Sequence, residues 1–446
     1  MSELFITLGD LLWKTFMPCL ILGTGIFLTL KTRFFQIREF PACLKSLSEK
    51  QAGKNGVSPF SALTTALAGS VGIGSIVGVA TALTLGGPGA VFWMLVFALF
   101  GMIIKYAEIL LAVKYREKSQ DGQIAGGPMY YLKSGARCPL LAALYALAAM
   151  LASFGIGNIC QSNSVSTVLF YEFGVPNWLT GLILAILCGV IILRGIRGIA
   201  KFTSIAIPII DALFLLCGLF AVLANLSQIP GVCSAILKDA FHPAAAGGGL
   251  LGSLVSLPVR YGISRGIFSS EAGLGSASIV HASANGSEPV RHAMLGILEV
   301  FISVVLACTI SAFVLLLSGV QGLEGAAYAS AAYEAALPGF GRYFVVALLC
   351  LFSLSAPLSW SFYGEWGLRY LLGGRLSSRA QLCYRLFFLF VLFLGAVTKS
   401  GMVWAVSDVL NALMALPNLA ALLLLSGEVW QETKRYLQKK KRPFFH

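Results

Sequence analysis

Ala68-Gly69-Ser70-Val71-Gly72-Ile73-Gly74-Ser75 and Phe268-Ser269-Ser270-Glu271-Ala272-Gly273-Leu274-Gly275-Ser276 decide how this chain folds. Each holds a Gly-x-Gly-Ser, and each sits where an apolar helix would otherwise run on. Unwound backbone survives at membrane depth only where protein buries it or a watery cavity takes it. A matched pair of such breaks in two halves of a chain points to a transporter's binding site.

The flanking composition places the breaks in a bilayer. Of 446 residues, 57% are hydrophobic and 11% charged, against about 25% charged in a soluble domain. Mean hydropathy is +0.84. Spans are expected near 8–30, 58–84, 89–113, 140–170, 177–193, 203–225, 246–284 (broken), 292–319, 343–368, 381–397 and 402–426. That makes an all-α polytopic membrane protein of about eleven helices. The first span lacks a basic leader, since Glu3 and Asp10 precede Lys14, so it reads as a retained helix. The ten cysteines form no C-x-x-C pair and read as small apolar packing residues. The four histidines show no metal-ligand spacing; two of them, His281 and His292, lie near a helix junction.

The +13 charge is a topology signal, and nucleic acid is not implied. Most of the 32 basic residues fall in alternate loops, such as Lys31 to Lys54, Lys114 to Arg137 and the tail Lys434 to Arg442. The positive-inside rule then puts the N-terminus outside and the C-terminus in the cytoplasm, with the tail free to touch anionic lipid. The first helix stands apart, and the other ten divide into five and five with a break opening each set. The two sets enter the membrane from opposite sides, an inverted repeat. The domains are then 1–57, 58–228, 229–428 and 429–446.

A break exposes N–H groups at one half-helix and carbonyls at the other, which suit a carboxylate and a cation respectively. Glycines let a ligand approach the backbone, and Ser70, Ser75, Ser269, Ser270 and Ser276 add hard oxygens. The expected cargo is a small zwitterion or anion with Na+ or H+. The rival role for these residues is close helix packing. Gln161, in the polar run 155–164, is read as a substrate contact rather than an interhelical clasp, and Trp360 as a pocket wall or a packing residue. Lys105 and Glu108, one turn apart, are expected to pair. Glu271 is expected to clamp against Arg265, with proton or cation duties as alternatives, and Asp211 and Asp408 are further intramembrane carboxylates. Polarity concentrated at one depth favours a carrier over a channel. No nucleophile–base pair, metal cluster or phosphate loop suggests an enzyme. No obligatory protein partner is implied.

Several runs resemble the alanine/glycine:cation symporter family: Ala68 to Ala80, Gly86-Gly87-Pro88-Gly89 to Met94, Lys105-Tyr106-Ala107-Glu108, Gly126 to Tyr131, Gly157-Asn158 with Gln161-Ser162-Asn163, Arg265 to Ser276, and Trp360 to Glu365. The resemblance implies the leucine-transporter-type fold, in a bacterial-type plasma membrane. It also implies Na+-driven symport of a small neutral amino acid, alanine or glycine first. It assigns substrate contacts to Gly72, Ile73, Gly74, Ser75, Gln161, Phe268, Gly273, Gly275 and Trp360, and a sodium site to Ala68, Val71 and Ser355. Where the family usually reads Gly-Thr-Gly-Asn, Ser-Asn-Glu-Ala-Gly and Ser-Thr, this chain has Gly72-Ile73-Gly74-Ser75, Ser269-Ser270-Glu271-Ala272-Gly273 and Ser355-Ala356. Polar groups are lost at each, so H+ coupling, weaker Na+ coupling or another small amino acid stay open.

Overall fold

The computed structural model describes residues 7–9, 11–47, 58–119, 122–241, 256–284 and 288–441. The start of the seventh expected span, 246–255, lies outside them, as do Lys50, Lys54 and Arg442. The described chain is helical apart from a two-stranded ribbon, Glu117–Lys118 against Ile124–Ala125.

The helices that build the site run in chain order as α1 (Met17–Lys31), α2 (Pro59–Ser70), α3 (Gly74–Gly86), α4 (Gly89–Lys114) and α5 (Pro139–Phe173). They continue as α6 (Asn177–Ile192), α7 (Gly195–Leu223), α8 (Leu257–Ser270), α9 (Ser276–Ala282) and α10 (Pro289–Leu317). The last five are α11 (Gly325–Ala336), α12 (Gly341–Leu371), α13 (Ser378–Val397), α14 (Ser400–Leu424) and α15 (Ser426–Lys441). Among the described residues, eight helices are long and apolar enough to cross a membrane, and the bent pair α2–α3 makes a ninth. The short apolar α6 and the broken pair α8–α9 correspond to the remaining two of the eleven expected spans. The second pair is more polar, carrying Arg260 and Arg265 within α8.

Local chemistry sets the ends. Ser58 caps α2 by accepting the Ser61 N–H at 3.0 Å, with Pro59 next in line. Gly174, at φ 65°, closes α5. The bundle's outer helices turn leucine and phenylalanine outward: Leu182, Ile186, Phe387 and Phe390 are exposed on α6 and α13. In water such a surface would be unstable; in hydrocarbon it is matched. Around the breaks almost everything is buried. There α8 and α10 lie along α4, and α12 lies along α5 and α2. The alanine-rich helix α11, and the amphipathic helices Ile229–Ala240 and α15, are elements a hydropathy reading does not register.

Candidate functional site

The second break opens where Glu271 takes the left-handed conformation at φ 57°. Gly273 (φ 96°) and Gly275 (φ 74°) carry the chain back into α9, conformations that cost side-chained residues free energy. The N–H groups of Gly273 and Gly275 donate to one oxygen of Glu108, at 2.9 and 3.1 Å. Asn418 Nδ2 donates to that same oxygen at 2.7 Å and to the Gly273 carbonyl at 2.8 Å. Tyr145 donates to the Leu274 carbonyl at 2.9 Å, and Tyr131 to Asn418 Oδ1. Both amide groups therefore already hold a carboxylate, that of Glu108, where the sequence reading placed a substrate's.

Two expected ion pairs are corrected. Lys105 reaches Glu299 at 3.0 Å and donates to the Ser270 carbonyl at 2.8 Å, while one oxygen of Glu108 is engaged by the break and the other is buried without a partner. Arg265 grips Asp408 with two nitrogens, at 3.3 and 2.8 Å. Glu271 sits six residues along from Arg265, on another face of the helix. Its partners are the Trp360 indole at 2.8 Å and the Ser276 hydroxyl at 2.5 Å. An oxygen of Glu271 also lies so close to Gly69 that a Cβ there would approach it to 2.7 Å. Glu271 thus ties the second break to α12 and to the end of α2.

At the first break Val71 is extended and Gly72 follows, bending α2 against α3 by 44°. The N–H groups of Gly72, Ile73 and Gly74 start a half-helix and have no carbonyl one turn back. Phe268 lies on Gly74, and Phe352 on Gly72. The Ser75 hydroxyl points to the Ser303 carbonyl at 3.5 Å, and the buried Ser269 hydroxyl has no hydrogen-bond partner. Ser355 sits one turn after Phe352 and donates to its carbonyl at 3.0 Å; Ser359 bonds the Thr65 carbonyl of α2 at 2.6 Å. Ala68 and Val71 flank the same end of α2, buried.

Trp360 is fully buried and lies over Gly157, where no Cβ would fit. Gln161 is one turn on from Gly157 on the same face. Its Nε2 donates to the Ile156 carbonyl at 2.8 Å, and its Oε1 is buried without a partner. Neighbouring amides are clasps: Asn158 bonds the Phe388 carbonyl at 2.8 Å, and Asn163 those of Gly395 and Thr398.

A cavity of about 490 Å³ opens on one side of the breaks, lined by Val77, Thr81, Arg260, Glu324, Trp404 and Asp408 among others. None of the expected contact residues lines it. Between cavity and breaks stand the Arg265–Asp408 pair, Trp404 under the Arg265 guanidinium at 4.8 Å, and Phe268 against Trp404 at 4.8 Å. Sequence reasoning singled out Phe268 and Asp408 but not this barrier, nor Asn418. A polar residue after Pro417 in the last span was the available signal for Asn418.

Two broken helices side by side in a membrane-spanning bundle define a secondary transporter of the broken-helix class. The chain belongs to the sodium:alanine symporter family, whose model matches residues 1–444. It is 41% identical to the sodium/alanine symporter AgcS of Methanococcus maripaludis, over 98% of this chain and 97% of that one. It is 36% identical to the probable sodium/glutamine symporter GlnT of Bacillus subtilis, over 97% and 90%. Its fold matches that of MhsT, solved with L-phenylalanine, with TM-score 0.61 at 15% identity over 85% and 92% of the two chains. The fold is of the leucine-transporter type, and the protein is a cation-coupled amino-acid symporter and not an enzyme.

Proposed function

We propose that this chain imports a small neutral amino acid, alanine or glycine, coupled to Na+ by alternating access. The observation that carries the reading is the inequality of the two breaks. The second break's donors are occupied by Glu108, whereas the first break's N–H groups, at 72–74, meet no side-chain carboxylate among the described residues. A substrate carboxylate belongs on those N–H groups with Ser75, and its ammonium beside the unpartnered Gln161 Oε1. Phe268 and Trp360 bound the side-chain space, and their packing on Gly74 and Gly157 favours a small substrate. Gly273 and Gly275 shape the opposite wall. Na+ belongs at the carbonyl end of α2, near Ala68, Val71 and Ser355, as helix polarity favours. The name of the 41%-identical relative supports Na+ and alanine. The basic loops support an outside N-terminus and a cytoplasmic C-terminus, with repeats at 58–228 and 229–428.

Labelled alanine, glycine and glutamine offered to proteoliposomes, with and without an inward Na+ gradient, test this. Accumulation of alanine or glycine only with the gradient is expected. Glutamine alone would overturn the substrate, and accumulation indifferent to Na+ would overturn the ion. H+ coupling is the second reading, favoured by Ala356, which supplies no hydroxyl beside Ser355.

A further inference from the structure

Behind the second break lies a file of buried titratable side chains that the substrate site does not use. His292 Nε2 and His281 Nδ1 are 2.9 Å apart. His281 Nε2 stands 3.6 Å from Glu299 Oε2, and Glu299 Oε1 stands 3.0 Å from Lys105 Nζ. Lys105 ends the file on the Ser270 carbonyl, at the break itself. His281, Glu299 and Lys105 have no exposed surface, and His292 has 1%. Each histidine leaves one nitrogen without a hydrogen-bond partner: His292 Nδ1 at the far end and His281 Nε2 facing Glu299.

Two further arguments bear on what such a file does. First, the one ammonium of Lys105 pairs with one wholly buried carboxyl group, Glu299, and two more, Glu108 and Glu271, lie within reach of its charge. Buried charge is retained only when paired. The cluster therefore has capacity for positive charge beyond Lys105, and Glu299 is the member reached by an imidazole. Second, a proton can cross in two steps: from His292 to His281 at hydrogen-bond distance, 2.9 Å, and from His281 to Glu299 once the imidazole closes the 3.6 Å gap between them. A proton taken by His292 Nδ1 lets Nε2–H pass one to His281 Nδ1. His281 Nε2–H then passes one to Glu299 Oε2, giving a carboxylic acid and two neutral imidazoles with their tautomers exchanged. Lys105 keeps its three protons throughout.

We propose that His292, His281 and Glu299 form a proton path to the second break, and that amino-acid transport is accompanied by loading or unloading of a proton on Glu299. Protonating Glu299 weakens its hold on Lys105, whose ammonium pins the end of α8. The Ser70 hydroxyl at the end of α2 lies beside the same carboxylate, so both breaks feel the change. Of the other groups facing the path, Tyr363 of α12 is buried near Glu299 with its hydroxyl unpartnered. Arg116 lies near His292. The helix Phe40–Ser46, packed on α10, brings Cys43 and Lys45, and α15 brings Lys439, which pairs with Glu288 at 3.8 Å. The α2 helix brings no titratable side chain.

The proposal rests on the symport reading, and one preparation separates the two. Proteoliposomes carry pyranine inside, equal Na+ on both sides and a clamped membrane potential, and receive labelled alanine or glycine. Uptake accompanied by a change of internal pH is expected in the unmodified protein. His281→Gln and His292→Gln are expected to lose the pH change while keeping Na+-dependent alanine binding. Uptake without any pH change overturns the proton path alone, and so does an unaltered pH change in both variants. Uptake of neither amino acid overturns the symport reading and the path with it. Should neither variant fold, an imposed pH gradient on the unmodified protein decides: failure to alter alanine accumulation overturns the path.

Discussion

Gly157 and Gln161 carry opposite demands on one helix face. Gly157 must have no side chain, because Trp360 occupies that space and donates to Glu271 from there. Gly157→Ala is expected to destabilise the protein by about 1–3 kcal/mol, the usual cost of overpacking. It should also abolish uptake by moving Trp360 off Glu271. Thermal unfolding in detergent and alanine uptake check both, and an unchanged melting temperature would show that the tryptophan relocates freely. Gln161 must keep its oxygen if that atom receives the substrate ammonium. A hydrogen bond to a charged group contributes about 1.5–3 kcal/mol, so Gln161→Ala should raise the half-saturating alanine concentration about tenfold or more. Unaltered affinity would take Gln161 out of the site. The roles of these residues were differently legible. Gln161 announced itself as an amide in an apolar run, whereas Gly157 did not, because its partner is two hundred residues away.

The elements differ in how tightly they are held, and the second break is the most constrained of them. Glu108 satisfies two amide groups there, and with Asn418 and Tyr145 it makes the unwound segment a fixed part of the fold. Glu108→Leu would leave those donors buried and unmet, at about 1–3 kcal/mol each. A loss of folded yield, or a strongly lowered melting temperature, is the expected measurement. At the corner between α11 and α12, Glu334 accepts the Gly339 and Arg342 N–H groups at 2.8 and 3.0 Å. The N–H groups of Arg342 and then Gly339 hold its carboxyl below the ordinary carboxylate value. A depressed value stabilises the corner above the unfolded carboxylate's pKa, and that stability fades as pH falls through the folded one. Protection of the Gly339 and Arg342 amides, relative to their intrinsic exchange rates, should therefore fall selectively in acid, and Glu334→Gln should remove that pH dependence. Helix spans were readable because hydropathy reports length and lipid exposure directly. Which carboxylate meets which donor was not readable, since Lys105 and Glu108 are neighbours on one helix and yet do not pair: Lys105 meets Glu299 of α10 and the Ser270 carbonyl, and Glu108 the amides of Gly273 and Gly275.

For the whole molecule, the decisive feature is a site closed on the side where the cavity lies. The inverted-repeat reading and the broken pair came from charge alternation and two glycine motifs, which are local and survive in a sequence. The conformational state did not, because it depends on one side chain of α8 meeting one of α14 across the bundle. Arg265 and Asp408 make that contact with 3% and 20% of their side-chain surfaces exposed, above Phe268 and Trp404. With the N-terminus outside, as proposed, α3 ends and the cavity it lines opens on the outer face, so breaking the pair should admit reagents to the first break from there. In a cysteine-free background, Ile73→Cys lies below the barrier and Val77→Cys lines the cavity. Val77→Cys should react with an impermeant thiol reagent applied outside, and Ile73→Cys slowly. Adding Arg265→Ala should speed the Ile73→Cys reaction about tenfold, since a charged hydrogen-bonded pair contributes about 1.5–3 kcal/mol and a factor of ten is about 1.4 kcal/mol. Labelling of Val77→Cys only from the cytoplasmic face would reverse the proposed orientation. An Ile73→Cys rate unmoved by Arg265→Ala would leave Phe268 and Trp404, rather than the ion pair, as what closes the path.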